Sequence, residues 1–168
     1  QEQIGDKSGM AAGLSIIAGL YFAQRDYQKA LEYGLKSLKI CEEIGNKTGI
    51  ANVIGNIAGI YFEQGDYPKA LEYGLKSLKI CEELGDKPDI AHAMTSIGNA
   101  YMRQKDHPKA LEYGFSALKV SRDIGDKSGQ AQSYASIGTY YLQIVRDGGV
   151  KPTDAAPGLE PAQNFYLP

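Results

Sequence analysis

Charge of one sign is missing from this sequence. Its 168 residues carry 18 Lys and Arg against 20 Asp and Glu, a net charge of −2, with the two signs intermixed. Nothing here builds the one-sided basic surface that phosphate backbones need, which argues against nucleic acid as a partner. No apolar run approaches the roughly 20 residues of a bilayer span, so no membrane insertion is expected. No signal peptide is visible, and a start at Gln1 rather than Met fits either a removed leader or an excised piece. Cysteine is scarce: Cys41 and Cys81 stand alone, at equivalent positions of a repeat. A disulfide needs Cα atoms within about 7 Å, whereas helices of adjacent repeats lie about 10 Å apart. Both read as free, small, buried thiols, which favours a reducing, cytoplasmic location. Histidine is equally sparse. His92 has no His or Cys partner at ligand spacing and reads as solvated or hydrogen-bonded, and His107 replaces a turn tyrosine and reads as structural. No metal site and no cofactor are expected. The chain has no G-x-S-x-G, no phosphate loop, no H-E-x-x-H and no paired-cysteine motif. Catalytic residues are therefore not expected, and the chain does not read as an enzyme.

What is present is repetition. The run KALEYGLKSLKICEE from Lys29 to Glu43 recurs letter for letter from Lys69 to Glu83, and KALEYGFSALKVSRD starts at Lys109. The segments IGDKSG, IGNKTG, LGDKPD and IGDKSG start at Ile4, Ile44, Leu84 and Ile124, again offset by 40 residues. Repeats thus start at about 4, 44 and 84, with a partial one from 124, and the array occupies residues 1–146. Each unit reads as two helices. The first, helix A, is expected at roughly 8–24, 48–64, 88–104 and 128–146, from apolar residues at helical spacing such as Ile54, Ile57, Ala58 and Tyr61. A turn follows, in which Asp26, Asp66 and Asp106 are placed to cap helix B, and Pro68 and Pro108 sit in its first turn, where a missing N–H costs nothing. Helix B carries Ala30, Leu31, Leu35, Leu38 and Ile40 on one face, with Glu32–Lys36 and Glu72–Lys76 pairs outside. Gly45, Gly85 and Gly125 end it.

This pattern resembles the tetratricopeptide repeat family. The family's first helix spaces a large residue, a Leu-Gly pair and a Tyr as Leu14, Ile17-Ala18, Tyr21 do here. The pattern returns at Ile54, Ile57-Ala58, Tyr61, at Met94, Ile97-Gly98, Tyr101, and at Tyr134, Ile137-Gly138, Tyr141. The family's small residue early in helix B matches Ala30, Ala70 and Ala110. The resemblance covers roughly 4–143. It implies an all-α fold: a right-handed superhelical solenoid of antiparallel helix pairs, about three and a half repeats long. The unit is longer than the usual 34 or so residues. In this it looks like the arrays of Pins/LGN-type scaffolds, kinesin light chains and bacterial signalling proteins. A second departure is Gly34, Gly74 and Gly114, where the family places an aromatic. Tyr33, Tyr73 and Tyr113, one residue earlier, are candidates for the missing bulk, and the glycines read as close helix packing, with a ligand role as the alternative.

At the ends, Glu2-Gln3-Ile4-Gly5 aligns with Glu42-Glu43-Ile44-Gly45, so the chain is expected to open on the last turn of a helix B. Helix A of the fourth unit has no helix B, and residues 147–168 read as a Pro- and Gly-containing extended tail or linker ending in Phe165, Tyr166 and Leu167.

The resemblance implies a concave groove lined by the A helices. Carried over position by position, its candidate peptide-binding residues are Phe22, Asn52, Asn56, Phe62, His92, Thr95, Asn99, Met102, Arg103, Gln132 and Thr139. Asn and Thr side chains suit backbone amides, small residues admit a peptide main chain, and the Phe22, Phe62, Met102 row offers apolar anchorage. The alternative is a purely structural face in which Phe22 and Phe62 pack as core. The groove lacks the Lys/Asn cluster that clamps a terminal carboxylate, so that specificity is not expected. The implied function is a protein–protein interaction module holding an extended peptide. The alternatives are a sensory or regulatory segment of a larger signalling protein, and a scaffold that self-assembles into homo-oligomers through its uncapped C-terminal helix or tail.

Overall fold

The computed structural model describes residues 2–148, with side chains from Lys7 onward. Seven helices follow one another: α1 Glu2–Ala23, α2 Tyr27–Glu43, α3 Lys47–Glu63, α4 Tyr67–Leu84, α5 Lys87–Arg103, α6 His107–Asp123 and α7 Lys127–Arg146. Each packs mainly on the helix before and after it, so the molecule is an all-α solenoid of helical hairpins. Its interior is a chain of clusters rather than one centre. Ala11, Cys41, Val53 and Ile57 form the first, Leu71, Leu78, Ile97 and Ala100 lie in the second, and Leu111, Leu118, Ile137, Tyr140 and Ile144 lie in the third.

The turns explain why the helices stop where they do. At the ends of α2, α4 and α6, Gly45, Gly85 and Gly125 take φ of +66°, +70° and +70°. The chain then doubles back through paired bonds such as Gly45 N to Glu42 O (3.1 Å) and Asn46 N to Cys41 O (2.9 Å). The turn from helix A to helix B uses the same motif, with Arg25, Gly65 and Lys105 in the left-handed position at +60°, +79° and +64°. Only the middle unit places glycine there, so Arg25 and Lys105 carry a steric cost that Gly65 avoids. Replacing both by glycine is expected to raise stability by about 0.5–1 kcal/mol each, read as a higher denaturation midpoint in urea. An unchanged or lower midpoint would refute it.

Asp26, Asp66 and Asp106 cap the next helix as expected, accepting from the N–H of Lys29, Lys69 and Lys109 at 3.1, 3.2 and 3.3 Å. The A helices have caps of their own, from Asn46 to Gly49 and from Asp86 to Asp89. Lys29 also closes an ion pair with Asp26 and lies 5.0 Å over the Tyr21 ring. Its N–H and ammonium together hold the Asp26 carboxyl below the usual carboxylate range. Tyr21 stacks on Tyr33 at 5.5 Å, and Tyr61–Tyr73 and Tyr101–Tyr113 repeat the pair. The tyrosines beside Gly34, Gly74 and Gly114 therefore do supply aromatic bulk within each hairpin. The glycines permit close packing: a Cβ built on each would lie 3.4, 3.1 and 3.0 Å from Cγ1 of Ile57, Ile97 and Ile137.

Both cysteines are free and buried. The expected break at Gly5 does not occur, because α1 is one helix from Glu2 to Ala23. The reversals at Gly45, Gly85 and Gly125 are stabilised by the hairpin each chain folds back onto. The tail expected over 147–168 lies outside the described residues beyond Gly148. No helix among the described residues is long and apolar enough to cross a membrane.

Candidate binding groove

The A helices α1, α3, α5 and α7 line one face. Clefts open where neighbouring A helices carry small residues at their crossing. Between α1 and α3 lies a cleft of about 250 Å³, walled by Ser15, Gly19, Phe22, Asn56, His92 and Ser96 over a floor of Gly34, Ile57 and Ile60. Between α3 and α5 lies another of about 350 Å³, with Asn52, Asn56, Asp89, His92 and Ser96 at its walls and Ser77 and Cys81 below. A smaller hollow of about 100 Å³ adjoins it at Gly59, Phe62 and Asn99. The two larger clefts share Asn56, His92 and Ser96, so they form one groove across three helices.

Of the residues expected there, Asn52, Asn56 and His92 are exposed and line it. Phe22 (37% exposed) and the half-buried Phe62 flank it, each resting edge-on against the tyrosine of the following turn, Tyr27 and Tyr67. Arg103 places its guanidinium 5.8 Å from the Phe62 ring, which ties α5 to α3. Gln132 and Thr139 are exposed on α7, but Thr139 turns its hydroxyl back to Ala135 O at 2.9 Å.

Three expectations need correction. Thr95 is buried, and its hydroxyl donates to Ala91 O at 3.0 Å. In the first two units that extra bond comes from helix B, as Ser37 to Ala11 O and Ser77 to Ala51 O. Residue 117 is alanine, and Thr95 supplies the hydroxyl from the other side of the hairpin. Met102 is buried in the third cluster, because α7 packs down against α5. Asn99 is half-buried, and its Oδ1 accepts the Tyr140 hydroxyl at 2.8 Å.

Tyr140 is the reason the face is uneven. Its column in the repeat reads Leu20, Ile60, Ala100, Tyr140. The Tyr140 ring, 1% exposed, is buried where α7 meets α5 and α6, whereas Ala100 is a small member of the second cluster. Burial drives its phenol pKa far above the ordinary tyrosine value, so it stays a neutral donor to Asn99. Ser96 was missed by sequence reasoning. Its column, Ile16, Asn56, Ser96, Ser136, begins with isoleucine, which hides its polar character until the array is assembled.

The groove is lined mainly by apolar surface, with polar side chains at its centre and Asp89 at one wall. Asn52, Asn56, His92 and Ser96 offer both donors and acceptors, and glycines 19, 55 and 59 keep the surface low enough for a main chain to approach.

A family profile described as tetratricopeptide repeat matches residues 9–83 and 49–122, which together exceed half of the chain. A search of curated proteins finds none that matches significantly. Among solved structures, the apo form of RapI is similar with a TM-score of 0.76 and 21% identity, over 84% of this chain and 39% of that one. A Rap protein complexed with competence and sporulation factor gives 0.74 and 17%, over 88% of this chain and 40% of that one. A STAND signal-transduction ATPase with a tetratricopeptide repeat sensor, from Pyrococcus horikoshii, gives 0.77 and 22%, over 98% of this chain and 24% of that one. The chain thus spans less than half the length of each of these proteins.

Proposed function

The chain belongs to the tetratricopeptide repeat family, and from that premise we propose that it is a protein–protein interaction module that takes an extended peptide segment across α1, α3 and α5. One observation carries this reading: the two open clefts meet at Asn56, His92 and Ser96, with amide, imidazole and hydroxyl groups above a floor of glycine and isoleucine in the first cleft and of small residues with Ser77 and Cys81 in the second. An extended peptide has unpaired backbone groups for those side chains and alternate side chains for the clefts. The Rap structure with its bound factor supports the reading by analogy of fold. The uncharged centre points to a partner segment without a dense charge cluster.

The test is selection from a displayed library of random linear peptides on the full chain. Peptides enriched on the wild type are expected to lose at least tenfold in affinity on an Asn52→Ala, Asn56→Ala, His92→Ala variant, with unchanged circular dichroism. All three residues are exposed, so their loss spares the core. Equal binding by wild type and variant would move the site off this face. Asn99 is left out of the variant because its amide holds Tyr140.

A second reading, a sensory or regulatory stretch of a larger signalling protein, is supported by the near-complete alignment of this chain within the repeat sensor-bearing STAND protein.

A further inference from the structure

One column of the repeat is glycine in three units and an acid in the fourth: Gly9, Gly49, Asp89, Gly129. Behind Gly49 and Gly129 the position is crowded. A Cβ built on Gly49 would lie 2.8 Å from both Asn46 Nδ2 and Cys41 Sγ, and one on Gly129 would press on Asp126 and lie 2.7 Å from Ser121 Oγ. The helix α5 carries a side chain there nonetheless, and its cap bond, from the Asp89 N–H to Asp86 Oδ1, is 3.2 Å against 2.9 Å for Gly49 on Asn46. An acid in a first turn suits the helix dipole on any side of the helix, so the dipole alone does not explain an acid on the crowded side. That side faces the α3–α5 cleft, where Asp89 stands half-buried at the wall. It takes part in none of the ion pairs among the described residues, and neither of the two larger clefts is lined by a Lys or Arg. Its charge is felt at the cleft floor: burial pushes the Cys81 thiol up, and the Asp89 and Asp86 carboxylates add to it.

We infer, on the reading that the groove holds an extended peptide, that the α3–α5 cleft takes one basic side chain of that peptide, lysine or arginine, with Asp89 as its counter-charge. The cleft is polar at one end and apolar at the other. Asn52, Cys81 and Asp89 stand at the end where α4 finishes and α5 begins, and Ala58 and Gly74 lie about two helical turns further along. A basic side chain has the same division, an apolar stem and a charged head. The stem fits over the alanine and glycine end, and the head meets the Asp89 carboxylate, with the Asn52 amide as a further acceptor. An acidic side chain would be repelled there, and a neutral one would leave the carboxylate as unpaired as it is now. At the wall of a partly closed cleft such a pair is screened less than on open surface.

The test uses peptides selected on the full chain from a displayed random library. Those whose binding depends on Asn52, Asn56 and His92 are expected to share a lysine or arginine at one position. Asp89→Asn is expected to weaken such a peptide about tenfold or more, with unchanged circular dichroism. The same peptide with methionine in place of its basic residue is expected to bind more weakly, and equally to wild type and Asp89→Asn. Asp123→Asn, an equal loss of charge at an exposed site outside the groove, is expected to change neither affinity. Binding to the wild type should fall more steeply with added salt than binding to Asp89→Asn. Groove-dependent peptides that share no basic residue overturn the inference while the groove stands. So does a shared basic residue whose replacement costs as much on Asp89→Asn as on the wild type. A library that yields no peptide dependent on Asn52, Asn56 and His92 overturns the groove itself, and the inference with it.

Discussion

Replacing Tyr140 by alanine is expected to cost about 3–5 kcal/mol and to release α7 from the end of the array. The ring is 1% exposed and sits between two glycines. A Cβ on Gly98 would lie 2.8 Å from its hydroxyl, and one on Gly114 would lie 3.1 Å from its Cε2. Both neighbours have given up their side chains to admit it, so its removal leaves a void that nothing adjacent is long enough to fill. In a solenoid that loss falls on the nearest interface rather than on the whole molecule. Hydrogen exchange should therefore show the amides of α7 losing protection while those of α3 and α4 keep it. Tyr140→Phe separates packing from polarity. It keeps the ring, removes the bond to Asn99 and should cost only about 0.5–1.5 kcal/mol. Protection of α7 in the alanine variant equal to that of the wild type would show that Tyr140 does not hold the helix.

The second large effect is a change of sign along one column. Alanine at Gly34, Gly74 or Gly114 brings the same gain in helix propensity, up to about 1 kcal/mol. What it meets differs. At Gly34 the new methyl would rest 3.4 Å from Ile57, an ordinary contact, and the variant should be neutral or more stable. At Gly74 the distance to Ile97 is 3.1 Å, and a small shift should consume most of the gain. At Gly114 the methyl would lie 3.0 Å from Ile137 and 3.1 Å from Tyr140, two fully buried side chains with no free rotamer to take. A net loss of about 1–3 kcal/mol is expected there from overpacking. Denaturant unfolding of the three variants should rank them in that order. Three equal shifts would mean that propensity, and not the fit between helices, sets the outcome.

These two predictions bear on how the candidate groove came to be only partly legible. The sequence places Asn52, Asn56 and His92 on an exposed side of their helices, because the side of a helix follows from spacing alone. Whether that side is open depends on what stands opposite. Thr95 lies in the same column as the exposed Ala135, yet it is buried, and its hydroxyl serves the Ala91 carbonyl in place of the serine that position 117 lacks. Met102 shares a column with the partly open Phe22 and Phe62, but α7 closes over it. Ser96 was passed over because its column begins with the apolar Ile16, although Ile16, Asn56 and Ser96 are all exposed.

The hairpin, its period and its turns follow from the order of the amino acids alone. The turn reversals at Gly45, Gly85 and Gly125, the caps at Asp26, Asp66 and Asp106, and the apolar faces of both helices are local properties, set by backbone conformation and by hydrogen bonds within a few residues. Which gaps between A helices stay open depends instead on packing between residues far apart in the chain. The depth of a cleft is the difference between the size of one side chain and the room left by glycines some 26 to 42 residues away. At Tyr140 the two match closely, and the ring fills the space that Gly98 and Gly114 leave without side chains.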